Sequence, residues 1–268
     1  MVDKKVLEQE TKLFIERATS TVDDGYEQSL LMALDRLMRS IPDKRKGSYG
    51  IVSVIAVFCK SINVALNGQS FEIGKSIYSN GTDFRTVSLG LGLISHVGVE
   101  EPLKALPILA EASNHELWEV KEFVQMFIRK ITKVHKTIAQ NFLLELTQSD
   151  NPNHRRFASE ALRPVVENKW IHDDPEFSLK VLRKLFKESE DYPKVSVGNN
   201  LSDLSRKNPE LILEVVKELK ELNNENSDFI AHRACRNLVK TYPVKVMDLL
   251  EVDFYQYKKN KYYRSDIK

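Results

Sequence analysis

A chain of 268 residues with 42% apolar and 29% charged side chains has the make-up of a soluble protein that buries a core. Its formal charge of +2 neither demands nor excludes nucleic acid, because a local basic stripe matters more than the sum. Cys59 and Cys235 belong to no C-x-x-C pair, which argues against a disulfide framework or a zinc knuckle and for a reducing, cytoplasmic setting.

The first residues, MVDKKVLEQETKLFIERA, carry charge throughout and offer no apolar core of a secretory signal. No window approaches the ~18 consecutive apolar residues that span a bilayer, so no membrane partner is expected. SIPDKRKGSYG reads as a loop or hinge. Ile51–Phe58 is β-branched, but helical spacing continues through Ile62 and Leu66. Asn80-Gly81 ends the next segment, Thr82 or Asp83 can cap FRTVSLGLGLISHV, and Gly98 stops it. Pro102, Pro152, Pro175, Pro209 and Pro243 stand where helices should start, a position where the missing N–H costs nothing. Asn151, Asp174 and Asn208 precede three of them as candidate caps. Phe177, Val181 and Leu185 form one apolar stripe, and Leu211, Val215, Leu219 and Leu222 another. No alternating strand pattern is evident. The expected fold is all-α.

The helices also repeat. WEVKEFVQMFIRK, HRRFASEALRPVV, PKVSVGNNLSDLS and AHRACRNLVKTYP can be overlaid, with spacings of 38, 39 and 34 residues between Glu122, Glu160, Asn199 and Arg233. That period implies a curved α-solenoid of HEAT-like antiparallel helix pairs with a concave groove. It predicts a single domain over 1–268: a helical cap (1–45), the repeats (46–250) and a basic, aromatic tail (251–268). The tail sequence FYQYKKNKYYRSDIK can follow a nucleic-acid backbone or simply fray in solvent. Nothing signals an oligomer, and a monomer is expected.

Trp118 and Glu122 lie one turn apart and share a face. Stacked repeats would turn Glu122, Glu160 and Asp203 into one groove, flanked by Arg156, Arg163 and Arg236. Burying such a set for stability alone gains little, although charged ladders between repeats are common in solenoids. The six histidines, His96, His115, His135, His154, His172 and His232, show no two at ligand spacing on one helix, so no metal is expected. SLGLG has two glycines inside a helix and is no phosphate loop, so no nucleotide cofactor, or any other, is expected.

The order RRFASEALRP, a tryptophan, SVGNNLSDLSRKNPELIL and AHRACRNLVK resembles the AlkC/AlkD superfamily of HEAT-like DNA alkylation repair glycosylases. It is closest to a pattern written RR-x-x-SEG-x-RP followed by YVR-[RK]-SV-[AG]-N-x-L-x-DI-x-K-x-[HN]-PEL. The likeness is strong over 153–250, weakens to WEVKEF at 118–123 and is architectural before that. It implies hydrolysis of the N-glycosidic bond of cationic purines such as 3-methyladenine or 7-methylguanine in double-stranded DNA. By position, it implies Asp203, Glu160 and Glu122 as the acidic set and Trp118 and Trp170 as aromatic faces for the base. Arg155, Arg156, Arg163, Lys194, Arg233 and Arg236 are the implied contacts to the DNA backbone. The chain departs from the pattern at Tyr192-Pro193-Lys194-Val195-Ser196, where one basic position is lost and lysine, without a bidentate fork, fills the other. The alternative reading is a catalytically idle relative that binds damaged or branched DNA, or a protein-interaction scaffold.

Overall fold

The computed structural model describes residues 1–17, 24–43 and 50–266. The described chain gathers into two compact units, Met1–Ala139 and Gln140–Lys268. The expected loop SIPDKRKGSYG falls largely on 44–49, outside the described residues.

The first unit contains α1 (Lys4–Arg17), α2 (Asp24–Arg39), α3 (Ile51–Ala65), α4 (Phe71–Asn80), α5 (Phe84–Val97), α6 (Pro102–Ala112) and α7 (Trp118–Val134). The helix α3 covers the β-branched Ile51–Phe58 and buries Val54, Ile55, Phe58 and Ile62, as helical spacing requires. Asp83 caps α5, accepting the Arg85 N–H at 2.8 Å. Glu27 of α2 holds the same helix start, accepting the N–H groups of Thr82 and Asp83 at 2.8 and 2.9 Å. Helix α5 is buried along nearly its whole length and packs against α3, α4 and α7. The glycines of SLGLG serve that packing. A Cβ on Gly90 would stand 2.6 Å from the Tyr78 backbone nitrogen and 2.7 Å from the Gly74 carbonyl, so α4 and α5 touch backbone to backbone.

The helix α8 (Lys136–Leu146) spans the boundary of the units. The second unit continues with α9 (Pro152–Glu160), a 3-10 segment at Val166–His172, α10 (Pro175–Leu182), a 3-10 turn at Arg183–Leu185, α11 (Asp191–Leu204), α12 (Pro209–Glu221), α13 (Glu225–Leu238) and α14 (Pro243–Leu250). All five expected prolines occupy first helical turns. Asn151 caps α9 through its side chain, accepting the Asn153 N–H at 2.9 Å. Asp174 and Asn208 do not act this way: neither side chain caps its helix. The Asn208 amide instead donates to the His172 carbonyl at 3.1 Å, tying the start of α12 to the 3-10 segment. The stripe expected on α12 is half kept: Val215 and Leu219 are buried, together with Ile212, Leu213 and Val216, while Leu211 and Leu222 are only partly buried.

Helices α9, α11 and α13 pack as successive neighbours, with α10, α12 and α14 outside that row. The repeat overlay places residues at or near equivalent positions in contact along it. The Asn200 amide donates to the Ser159 carbonyl at 2.8 Å, and the Arg233 Nε donates to Asn199 Oδ1 at 2.9 Å.

The all-α expectation holds, and among the described residues it is interrupted by one short antiparallel hairpin of β1 (Phe254–Tyr257) and β2 (Asn260–Tyr263) at the C-terminal end. Tyr255 is completely buried, stacks on His232 at 4.4 Å between ring centroids, and donates its hydroxyl proton to the His232 carbonyl at 2.8 Å. Four-residue strands give too little alternation to read. The Lys258-Lys259 turn lacks the Asn-Gly or Asp-Gly signal, although Lys258 takes the positive φ of 54° such residues favour.

Candidate functional site

The residues of the NHRRFASEALRP and SVGNNLSDLSRK stretches meet on the second unit. Asn199, Asn200 and Asp203 face different partners because one helical turn separates the outer pair and their neighbour is rotated by about 100°. Asn200 turns to α9, while Asn199 and Asp203 line up towards Arg233, Arg236 and Arg163.

Glu160 and Asp203 share one guanidinium. Arg163 donates from Nη1 to Glu160 Oε2 at 3.3 Å and from Nε and Nη2 to Asp203 Oδ2 at 3.1 and 2.5 Å. Burial works against the Arg163 charge, but Glu160 and Asp203 outweigh it and raise its pKa above the usual arginine value. Glu160 is only 4% exposed, and its other oxygen accepts the Ser196 hydroxyl at 2.6 Å. On the far side of Asp203, the Arg236 Nη2 approaches Oδ1 at 3.4 Å and the Arg206 Nη2 at 3.6 Å. Asp203 therefore has one tightly held oxygen, Oδ2, and one loosely contacted oxygen, Oδ1.

A cleft of about 780 Å³ opens beside this chain of charges, lined by Arg163, Pro164, Val165, Lys169, His172, Asp173, Asp203, Arg206 and Lys207. The Leu162–Val165 stretch follows α9 without continuing it, and the buried Asn168 fixes the wall by donating to the Ala161 carbonyl at 2.7 Å. Asp203 reaches the cleft. Glu160 is not among its lining residues; it stands behind Arg163, where it orients the guanidinium that orients Asp203.

The structure gives the remaining expected site residues varied surroundings. Glu122 and Trp118 belong to the first unit, where Glu122 is partly buried and accepts from the Gln125 amide at 2.9 Å, and Trp118 is 66% exposed on the first turn of α7. Trp170 does not line the cleft. It packs edge-on against Phe177, with centroids 5.0 Å apart. Arg155 is engaged by Glu188 through two hydrogen bonds of 2.6 and 3.0 Å, and its Nη1 donates to the Ser149 and Asp150 carbonyls. Arg156 is buried over the Tyr192 ring at 4.2 Å. Lys194 is also buried, 5.0 Å from the Phe229 ring centre and 3.1 Å from Asn226 Oδ1. The cations that do face the cleft beside Arg163 are Lys169, Arg206 and Lys207. Arg206, which is not among the residues expected from sequence, stands at the lysine of the D-I-x-K-x-[HN]-P pattern, a signal that could have found it, whereas Lys169 and His172 enter only through the 3-10 fold.

A family model described as DNA alkylation repair enzyme matches residues 105–238. The chain belongs to that family. The matched span holds the acidic residues and Arg236, and it leaves the hairpin outside. Among its relatives, the Uncharacterized protein YhaZ of Bacillus subtilis (strain 168) is 32% identical over 147 residues, 53% of this chain. The match spans only 38% of YhaZ. The Pseudomonas fluorescens alkylpurine DNA glycosylase AlkC, solved bound to DNA containing an abasic site analog, superposes with a TM-score of 0.62 at 18% identity. That superposition covers 94% of this chain and 67% of AlkC. AlkD2 from Streptococcus mutans superposes with a TM-score of 0.60 at 20% identity, covering 77% of this chain and 98% of AlkD2. Both likenesses speak to the fold. Among the described residues, no group of three or more His, Cys, Asp or Glu could hold a metal ion, and no helix is long and apolar enough to cross a membrane.

Proposed function

We propose that the chain binds double-stranded DNA carrying alkylated bases and hydrolyses the N-glycosidic bond of cationic N3- or N7-alkylated purines. The observation that carries this reading is Asp203, a carboxylate at a cleft whose other charged walls are mostly cationic. Alkylation at N3 or N7 makes the base a cation and a good leaving group, so little general acid is needed. The bond pair between C1′ and the base nitrogen leaves with the base and neutralises it. The sugar is left electron-poor and is captured by water, which gives up a proton. A fixed negative charge next to that centre stabilises it, and the same carboxylate can accept the hydrogen bond that positions the water.

Asp203 is arranged for both tasks. Oδ2 is locked by Arg163, while the long contacts at Oδ1 leave room to accept a hydrogen bond from water. Glu160 acts through Arg163 as a positioning residue. Lys169, Arg206 and Lys207 supply phosphate contacts and a salt-dependent share of the affinity. The direct test is to incubate the purified chain with methylated duplex DNA and separate the released bases by chromatography. Release of 3-methyladenine or 7-methylguanine supports the reading; binding without release contradicts it.

One observation favours the alternative of a DNA-binding relative without chemistry. Arg163, Arg206 and Arg236 all surround Asp203, which weakens the field a single carboxylate can exert. The same base-release assay separates the two readings.

A further inference from the structure

The hairpin that follows the family-matched span is joined to the charged cluster through one side chain. Tyr257, on the β1 edge facing α13, accepts a hydrogen bond from Arg236 Nη1 at 3.3 Å. Three cations gather on its ring: Arg236 at 5.7 Å, and Arg233 and Lys258 each at 5.8 Å from the centroid. Arg236 is the residue that also reaches Asp203. Burial opposes ionisation of the Tyr257 hydroxyl, yet the bond from Arg236 and the charges of Arg233, Arg236 and Lys258 prevail and hold its pKa below the ordinary tyrosine value. Asp203 offsets the charge of Arg236, whereas Arg233 and Lys258 share the same ring without a carboxylate partner among the described residues.

The sequence places this concentration deliberately. Gly198 lets the Arg233 stem lie along α11, since a Cβ there would stand 2.8 to 3.0 Å from Arg233 Cβ, Cδ and Cγ. Asn199 then fixes the guanidinium by accepting from Nε. At the hairpin tip Lys258 and Lys259 are exposed, with Lys261 exposed on β2. Among the described residues Arg233, Lys258, Lys259 and Lys261 enter no ion pair. By contrast, Arg155, Arg163 and Arg183 each have a carboxylate partner. Arg233 and the hairpin lysines, which have no carboxylate partner, repel one another until an anion arrives.

We propose that the hairpin tip, Lys258 and Lys259 together with Arg233, is a phosphate-binding site for the nucleic-acid backbone. It rests on the DNA reading above and extends the contact surface beyond the cleft. The ligand chemistry is a phosphodiester of a strand that flanks the nucleotide at Asp203, and Tyr257 couples this contact to the Arg236 that faces the carboxylate.

The test uses the full chain and a fluorescent duplex containing an abasic-site analogue, with affinity measured by anisotropy between 50 and 200 mM salt. Lys258→Asn/Lys259→Gln removes two cations from exposed positions, and asparagine tolerates the positive φ of Lys258. Each lost phosphate contact lowers the slope of log affinity against log salt by about 0.9. The wild-type chain should therefore lose roughly tenfold more affinity than the variant across that fourfold salt range. Unchanged thermal unfolding of the variant shows that the hairpin still docks. If the wild type binds and the variant has the same affinity and slope, the hairpin proposal is wrong while the DNA reading stands. If the wild type binds no DNA at any of these salt concentrations, both fall.

Discussion

Removing the Arg163 guanidinium tests the charged chain at its middle link. In Arg163→Met, Glu160 stays buried at 4% exposure with the Ser196 hydroxyl as its remaining side-chain donor, while Asp203 keeps its longer contacts to Arg236 and Arg206. Breaking a fully buried pair costs about 3–5 kcal/mol. The Arg163 side chain is 28% exposed and Asp203 retains partners, so the expected cost is smaller, about 2–3 kcal/mol. The two tryptophans fall one in each unit, so a Trp118→Phe background leaves Trp170, packed on Phe177, as the reporter of the second unit. Urea unfolding followed by Trp170 fluorescence measures the cost. A companion Glu160→Gln/Arg163→Met variant should lose less than the sum of the single changes, by about 1–2 kcal/mol, because the neutral amide no longer strands a buried charge. An Arg163→Met chain within about 0.5 kcal/mol of its parent, or strict additivity in the double variant, would refute the linked-charge account.

Three further outcomes follow from other parts of the chain. Gly90→Ala forces a methyl against the Tyr78 nitrogen and the Gly74 carbonyl and should destabilise the first unit by about 3 kcal/mol, read by Trp118 fluorescence in urea in a Trp170→Phe background. Burial first, then the charges of Lys130 and Lys60, lower the His96 pKa from 6.5 to about 4 despite a hydrogen bond with the Ala56 backbone. The unfolded chain therefore binds a proton that the folded one refuses, and stability present above pH 6.5 is lost as pH falls towards about 4. His96→Gln should flatten that dependence by about 1–2 kcal/mol, a figure reduced for the partial exposure of the ring. Tyr255→Ala removes the hairpin's buried anchor, and limited trypsin digestion should then cut at Lys258 and Lys259 well before the rest of the chain is attacked.

The helices were legible because their signals are local. Pro152 with Asn151, Asp83 before Phe84, and Gly81 and Gly98 after their helices act within a few residues, and the structure uses them as read. The repeat spacing was legible too, since α9, α11 and α13 stack and the equivalent Asn199 and Arg233 are in contact. Asp203, Glu160, Arg163 and Arg236 were singled out, and the structure joins them through shared hydrogen bonds. What escaped depended on geometry between segments. Asn208 has the composition of a cap, yet the nearby His172 carbonyl claims its amide. Lys169 and His172 reach the cleft because a 3-10 segment turns there, and no periodicity announces such a turn. Arg155, Arg156 and Lys194 look like phosphate ligands in sequence, but Glu188, Tyr192 and Phe229 already engage them. The hairpin stayed hidden for a similar reason: its order comes from Tyr255 docking on α13, not from its own four-residue strands.

In the proposed function Asp203 performs the chemistry at the cleft. The most direct measurement compares wild type and Asp203→Asn in single-turnover release of 7-methylguanine from a defined duplex, with binding to an abasic-analogue duplex measured alongside. Removing the charge that faces the developing cation should slow release by about 10²–10³-fold while binding changes little. Equal release rates for the two proteins, or no release from the wild type under conditions where it binds, would contradict the account.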